Sequence, residues 1–283
     1  MKNFVIGLLC FFSITFSFSQ DLLSELDSDV KIDSSTFAAF KGLKIVNLES
    51  TKLAAKKDLF FIIAHRFGSV KGGIKELFGI DQSTIRFSFV YGFSDNFNIG
   101  LSRSSYNKVY DLSVKYKIKG QEINGFPVTI VGYNTLAINT NWDEEEFSSF
   151  ESKHRLSYTT QLLISKKFNH EFSFQLVPIV VHENYVLNNT QDNTQFVLGA
   201  GGRYKLSNFV TLNMDYAYHM NRASNSQFKN PFSIGFDIET GGHVFQVHFT
   251  NAQPMYDTGF LTNASGDWGN GDFFFGFNLS RVF

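Results

Sequence analysis

Hydrophobic and polar residues alternate along the last stretch of the chain, residues 271–283. Counting back from Phe283 in steps of two, one row is apolar apart from Arg281, and the other row is mostly small or polar. A period of two is typical of a β-strand with one apolar and one polar face. This stretch therefore predicts a strand running to the last residue, with an apolar face formed by Phe273, Phe275, Phe277 and Leu279.

The same alternation recurs through the chain between polar connections. It predicts about twelve strands, at residues 58–67, 85–93, 97–105, 110–118, 126–139, 156–165, 172–182, 196–205, 210–220, 232–239, 245–250 and 271–283. From the middle of the chain onward, short and long connections alternate: the short ones lie around Asp95, Asn169, Asn208 and Gly241, the long ones around Glu145, Asn189, Ser226 and Gly266. A soluble β-sandwich gives no reason for this alternation of loop length. The pattern favours an all-β fold, a closed antiparallel transmembrane β-barrel with both chain ends on one side.

Composition supports a lipid environment. Phe accounts for 34 of the 283 residues, whereas Pro contributes only 4 and charged residues 18%. A soluble domain would have to hide this aromatic surface in one core, but a barrel in lipid displays it outward. The formal net charge of −1 gives no overall basic field, so nucleic acid is not expected as a partner.

The amino-terminal region divides into two further parts. Residues 1–19 begin with Lys2, continue as an apolar run and end on a small-x-small pattern, which predicts a cleaved secretory signal peptide. Cys10, the only cysteine, lies inside this segment, so no disulfide is expected in the mature chain. Residues 20–57 are a leader that could stay periplasmic, plug the barrel or add a strand, and residues 58–283 are the predicted barrel.

Two resemblances follow from these residues. A final strand that ends on Phe283 resembles the closing strand of bacterial outer-membrane barrels, which implies that the barrel-insertion machinery reads this ending; Arg281 departs from the usual apolar residue. The segments FKGLKIVN at residues 40–47, HRFG at 65–68 and GIDQSTIRFSFVYGFSDNFNIGLSRS at 79–104 are similar to a family of uncharacterised bacterial outer-membrane β-barrel proteins of unknown function. This resemblance implies membership and an outer-membrane location without implying an activity.

Charged residues fall on the polar rows of the predicted strands. The expected lumen-lining residues are Arg66, Arg86, Asp111, Lys115, Lys117, Arg155, Arg203, Lys205, Asp215, Asp237 and Glu239. Charges inside a barrel are tolerated when they are paired or hydrated, so the interior is either a water-filled path or a plug cross-linked by ion pairs. We expect a narrow pore or solute-specific channel for a small solute, and Arg86, Lys115, Lys117 and Arg155 would favour anions.

A second interpretation is a membrane-embedded hydrolase of lipid or lipopolysaccharide. Such an enzyme needs a Ser, a His and an orienting polar group close together at the barrel rim. The weak catalytic candidates are His154 with Ser157, His182 with Glu183, and His219 with Asp215, none of which has a recognisable nucleophile motif.

A third interpretation is a structural or assembly partner in the outer membrane, with the acidic run at residues 143–146 or the leader as its contact. Outer-membrane lipids and lipopolysaccharide would surround the barrel in any of these cases. No cofactor is expected, and no metal site either, because His243 and His248 are five residues apart on one strand and face opposite sides. The GAGG run at 199–202 lies within a strand and suits close packing rather than phosphate binding.

Overall fold

The computed structural model describes residues 38–142, 150–186, 191–240 and 243–283. Within these ranges twelve β-strands form one closed barrel. They are β1 Leu59–Ser69, β2 Ser83–Ser94, β3 Phe97–Ser104, β4 Val109–Lys119, β5 Thr129–Asn139, β6 Leu156–Lys167, β7 Phe172–Glu183, β8 Thr194–Lys205, β9 Val210–His219, β10 Phe232–Thr240, β11 His243–Thr250 and β12 Phe274–Val282. The predicted signal peptide, the first part of the leader and the acidic run at 143–146 lie outside the described residues.

Every strand pairs antiparallel with its sequence neighbours, and β12 pairs with β1 to close the barrel. In that closing pair, Ile63 lies opposite Leu279 and His65 opposite Phe277. Backbone hydrogen bonds in both directions join Leu59 and Phe283, at 3.1 and 2.9 Å. The predicted closed antiparallel barrel is therefore confirmed, with both ends of the barrel domain at one side.

Apolar side chains cover the outside of the barrel, as the alternation predicts. Phe277 stacks on His65 with ring centroids 4.7 Å apart, and Phe67 stacks on Phe275 at 5.6 Å, so rings from neighbouring strands form a continuous outer surface. The opposite row of β12 faces inward, where Phe274 is buried. A closed barrel leaves no strand edge unpaired, which is the condition for placing this backbone in lipid.

Connections differ between the two ends of the barrel. The links β2–β3, β4–β5, β6–β7 and β8–β9 lie at the end that also carries residues 57 and 283, which we call the turn end. Longer links, including a 3-10 segment at Val70–Gly79 and the chain from 251 to 273 with the short helix α1 at Asp257–Thr262, lie at the opposite end, the loop end. Three further 3-10 turns, Tyr106–Lys108, Ser152–Arg155 and Trp268–Asn270, also lie at the loop end.

Strands β5 and β12 each begin three residues later than the sequence pattern predicts, β12 at Phe274 rather than Gly271. The pattern extends β5 back to Phe126, but the strand begins at Thr129. Pro127 has no N–H to donate to a strand ladder, and the Phe126 carbonyl accepts a hydrogen bond from Glu122 N–H at 2.9 Å instead. No helix among the described residues is long and apolar enough to span a membrane.

Candidate functional site in the barrel interior

Residues 38–56, which we call the N-terminal insert, lie inside the barrel. Gln175 of β7 donates to the carbonyl of Glu49 at 2.7 Å, and Gln246 of β11 donates to the carbonyl of Ile45 at 2.6 Å. These two strands belong to different walls of the barrel, so the insert lies across the lumen. Its apolar side chains are enclosed, with Ile45 fully buried and Leu48 almost fully buried.

Asp215 of β9 holds the backbone of the insert. One oxygen of its carboxylate accepts hydrogen bonds from the N–H groups of Val46, Asn47 and Leu48, at 3.0, 2.7 and 2.9 Å. Three consecutive N–H groups that converge on one anion form a concave anion site, and here the anion belongs to the barrel wall. Asp215 therefore fixes the position of the turn at the centre of the insert.

Asn47 and Arg66 extend this contact. The Asn47 amide donates to the hydroxyls of Ser233 and Thr250, at 2.9 and 3.1 Å, and its oxygen accepts from the Arg66 guanidinium at 3.0 Å. Arg66, which is 1% exposed, also donates to the carbonyl of Ala252. Since Ala252 belongs to the chain that enters from the loop end, Arg66 joins segments that come from both ends of the barrel.

Residues 251–266, which we call the loop insert, fill the interior from the loop end. All of α1 is buried, and Gln161 of β6 donates to the Asp257 carboxylate at 2.9 Å. Phe260 and Leu261 join an apolar cluster that also contains Leu48 of the N-terminal insert. The two inserts therefore meet in one core inside the barrel.

Little space is left beside the N-terminal insert. A cavity of about 60 Å³ adjoins Asn47 and Arg66, and another of about 30 Å³ adjoins Glu49 and Lys115. Cavities of this size hold only a few water molecules. The polar residues of the wall at this level are therefore bonded mainly to the inserts and to one another.

Buried ion pairs cross-link the interior. Arg86 forms a two-pronged pair with Asp111, with N–O distances of 2.5 and 2.7 Å. Glu49 of the N-terminal insert accepts from Lys115 at 2.7 Å and pairs with Lys44 at 2.8 Å. Burial alone would raise the pKa of Glu49, but Lys115 and Lys44 hold it at about 2. Glu49 is therefore ionised near neutral pH and ties the insert to β4.

Five further residues of the predicted lumen set lie in the halves of their strands nearer the turn end. Arg203 is buried and lies 3.7 Å from Glu239, and Asp237 is buried and accepts from Gln246 at 2.6 Å. Lys117 and Lys205 are half-buried towards the turn end.

Arg155 lies in a different place from the one the alternation predicts. It is in the 3-10 turn before β6, at the loop end, with its guanidinium 5.2 Å from the ring centre of Phe150. Arg86 and Lys115 are held by Asp111 and Glu49, whereas Arg155 lies at the loop end. The four cations expected to favour anions therefore do not form one row.

The weak catalytic candidates have separate partners. The ring of His154 accepts the backbone N–H of Glu151 at 2.9 Å, and the Ser157 hydroxyl donates to the Thr258 hydroxyl at 3.3 Å. His219 pairs with Gln195 at 2.6 Å, and Asp215 is occupied by the insert. His182 pairs with the Thr194 hydroxyl at 2.9 Å, and Glu183 accepts from Gln195 at 2.7 Å. None of the three pairs is arranged as nucleophile and base. Within the described ranges, no group of three or more His, Cys, Asp and Glu side chains could hold a metal ion.

Sequence reasoning missed the neutral polar residues that hold the inserts. Gln161, Gln175, Gln246 and Asn47 are all buried and bridge a wall to an insert. Their position on the polar rows is visible in the sequence, but the predicted lumen set contains charged residues only. In a lumen filled with backbone, amides are suitable partners because each offers both a donor and an acceptor.

Comparison with known proteins supports the architecture. Residues 40–283 match the model of the family described as "Membrane bound beta barrel domain (DUF5777)". The chain belongs to this family. The match begins at Phe40, so nearly all of the N-terminal insert is part of the family domain. The chain is thus a membrane-bound β-barrel of the outer-membrane type, which agrees with its lipid-compatible outer face.

Solved structures resemble this DUF5777 barrel in fold. The KdgM porin in complex with disordered oligogalacturonate has a TM-score of 0.50 at 9% identity, with 80% of this chain and 99% of that one covered. An outer membrane channel from Pseudomonas putida F1 has a TM-score of 0.47 at 12% identity, covering 82% and 97%. At 9% identity, the similarity to the KdgM porin concerns the fold alone. The similarity to the Pseudomonas putida channel has a lower TM-score. No curated protein matches the chain.

Proposed function

We propose that this protein is a narrow channel of the bacterial outer membrane, for a small solute, in which residues 38–56 act as the plug. The observation that carries the proposal is the way the plug is held. Its backbone is bound by polar wall side chains such as Asp215, Gln175 and Gln246. Water can replace the plug at each of these groups, so a polar lumen would remain if the plug moved.

The type of barrel supports this function. A barrel of this strand number is narrower than the large porins, so a selective path suits it better than a wide one. The similar KdgM structure is a porin, and we extend that role to this chain as part of the proposal. The loop insert closes the path from the opposite end, so conduction requires that it move as well.

The route to the membrane forms a further part of the proposal. Residues 1–19 act as a cleaved signal peptide, and the last strand ending at Phe283 is read by the barrel-insertion machinery. The turn end then faces the periplasm and the loop end faces outward, where lipopolysaccharide surrounds the barrel. The outer apolar face contacts membrane lipid.

Planar-bilayer recording tests the channel. The mature chain, a variant lacking residues 20–56 and a control lacking only residues 20–37 are refolded and reconstituted separately. We expect the largest and most frequent conductance steps from the 20–56 deletion, because it removes the plug, and little change from the control. If the 20–56 deletion folds as a barrel and stays silent, the loop insert is the remaining barrier. Silence also in a folded barrel that lacks both inserts would exclude the channel in favour of a structural or assembly role.

A further inference from the structure

Two adjoining cavities lie at the loop end, outside the lumen contacts described above. They measure about 390 and 280 Å³ and share the residues Glu183, Val186, Gln227, Phe228 and Asn263. We call them together the mouth cavity. Pockets for small ligands are typically about 300–1,000 Å³, so even the larger part alone has a suitable size. By contrast, the cavities beside the plug have room only for a few water molecules.

Aromatic rings form one side of the mouth cavity. Trp142 and Tyr185 both line it and meet edge to face, with ring centres 5.3 Å apart and an interplanar angle of 77°. Phe150 packs against both of these rings, at 5.8 and 5.9 Å. Such packing holds the rings in fixed orientations before any ligand arrives. Trp142 and Tyr185 are also only half-buried, so part of each is accessible to a ligand.

Neutral polar groups form much of the other sides, together with the cations Arg155 in one half and Arg222 in the other. Asn139, Gln227 and Asn263 line the cavity, and together their amides supply both donors and acceptors. Glu183 lies between the two halves and accepts a hydrogen bond from Gln195 at 2.7 Å. This carboxyl group adds a further acceptor, and no second acidic residue lies beside it in the cavity lining.

We propose that the mouth cavity binds a short oligosaccharide. Sugar rings present C–H faces that pack on aromatic rings and hydroxyls that both donate and accept hydrogen bonds. Trp142 and Tyr185 suit the faces, while the amides and Glu183 suit the hydroxyls. An acyl chain would offer those amides no hydrogen-bond partner, which disfavours it as the ligand. A metal ion would need more anionic ligands than the single carboxylate in this lining.

This site goes beyond the proposed channel, because binding at the mouth does not require conduction. Asn263 and Thr258, which line the cavity, belong to the loop insert. A bound sugar would therefore touch the segment that closes the lumen from the loop end.

Tryptophan fluorescence tests the site. The chain has two Trp residues, so Trp268→Phe leaves Trp142 as the only emitter. This variant, in a detergent without a sugar headgroup, is titrated with maltose, cellobiose, chitobiose and digalacturonate. We expect a saturable change in Trp142 emission with at least one of these sugars. Calorimetry on the unaltered protein measures the same affinity without relying on fluorescence.

Two further variants locate the binding. Tyr185→Ala should weaken the affinity roughly tenfold, since it removes one of the protein rings on which the sugar packs. Tyr218→Ala is the matched control, because that ring is 52% exposed on the outer face of β9 and should leave the affinity unchanged. Equal affinities in Tyr185→Ala and the unaltered protein would overturn the assignment, as would the absence of saturable binding for all four sugars by both methods.

Discussion

The Asp215 carboxylate is the single group on which the position of the N-terminal insert depends most directly. It accepts three consecutive backbone N–H groups of the insert, and it is 4% exposed. Sequence reasoning placed Asp215 both on the inner face and in a catalytic pair, yet its role as an acceptor for backbone could not be predicted. The partner N–H groups lie about 170 positions away and have no side-chain signature.

Asp215→Ala should release the insert. The substitution leaves three buried N–H groups without their acceptor, at about 1–3 kcal/mol for each group that finds no other partner. We expect conductance of the full mature chain to rise towards that of the 20–56 deletion, and the insert to become sensitive to protease. Asp81→Ala is the control, since it removes the same charge from an exposed position in the link between β1 and β2. Identical traces from both variants would contradict this role of Asp215.

Acid should loosen the insert through Glu49. The pKa of Glu49 is about 2 in the folded protein, whereas a glutamate in the unfolded chain has a pKa of 4.5. The ionised side chain therefore stabilises the fold fully above pH 4.5. That stabilisation declines as the pH falls from 4.5 to about 2, because protonation removes the pairs with Lys115 and Lys44. We expect insert release, measured by conductance or by pepsin cleavage, to rise through this range.

Glu49→Gln should flatten that pH dependence, since the amide has no charge to lose. Glu171→Gln, an exposed position at the turn end, should retain the full response. A pH profile that is the same in all three proteins would show that another group controls the release.

The strands could be located from the sequence, whereas the position of the N-terminal insert could not. Strand positions were predicted from the sequence because each strand meets lipid on one face and polar contacts on the other, which imposes a period of two. The insert has no such repeat, and the sequence left a periplasmic leader, a plug and an extra strand open. Gly199 and Gly201, which were expected to allow close packing, make room for Leu48 and Ile45 of the insert.

Gly92 marks the point where the chain passes from the insert into β1. The N–H of Gly92 donates to the backbone carbonyl of Asp58 at 3.0 Å, and its carbonyl accepts from the backbone N–H of Lys57 at 2.7 Å. A Cβ at this position would collide with the carbonyl of Ala55. Gly92→Ala should therefore displace the start of the insert, lower the melting temperature and raise conductance. Gly202→Ala is the control, because the nearest atoms to an added Cβ are 3.6 Å away. If both variants melt and conduct like the unaltered protein, the insert can enter the barrel without a glycine at position 92.

The barrel has an apolar outer surface, and its interior holds ion pairs and amides around the apolar core of the inserts. This arrangement has a direct energetic reason, because the chain belongs to a membrane-bound family and its barrel exposes aromatic rings on every side. Lipid accepts apolar side chains everywhere on the outer face, whereas the inserts fill the interior with backbone that needs polar partners.

A charge placed on the outer face should therefore destabilise the barrel most near the middle of the bilayer and least near its surfaces. Leu101 is 56% exposed in the middle part of β3, and Leu101→Lys should lower the free energy of unfolding by about 2–4 kcal/mol. Phe168 is 57% exposed at the turn end, and Phe168→Lys should cost only about 0–1 kcal/mol near the interface. Urea unfolding in lipid vesicles measures both values. Equal losses would argue against the assigned membrane position, and losses of similar size in detergent alone would indicate a packing effect.

The sequence by itself determined the closed antiparallel barrel, its inner and outer faces and the pairing of the last strand with the first. These features follow from local alternation and loop length, because lipid applies the same requirement to every strand. Only the tertiary structure decided that Asp215 holds the insert, that Glu49 joins Lys115, and that Arg66 joins segments from both ends. Each of these contacts links distant residues across a closed space, and which polar groups meet there depends on how the whole barrel closes around its contents.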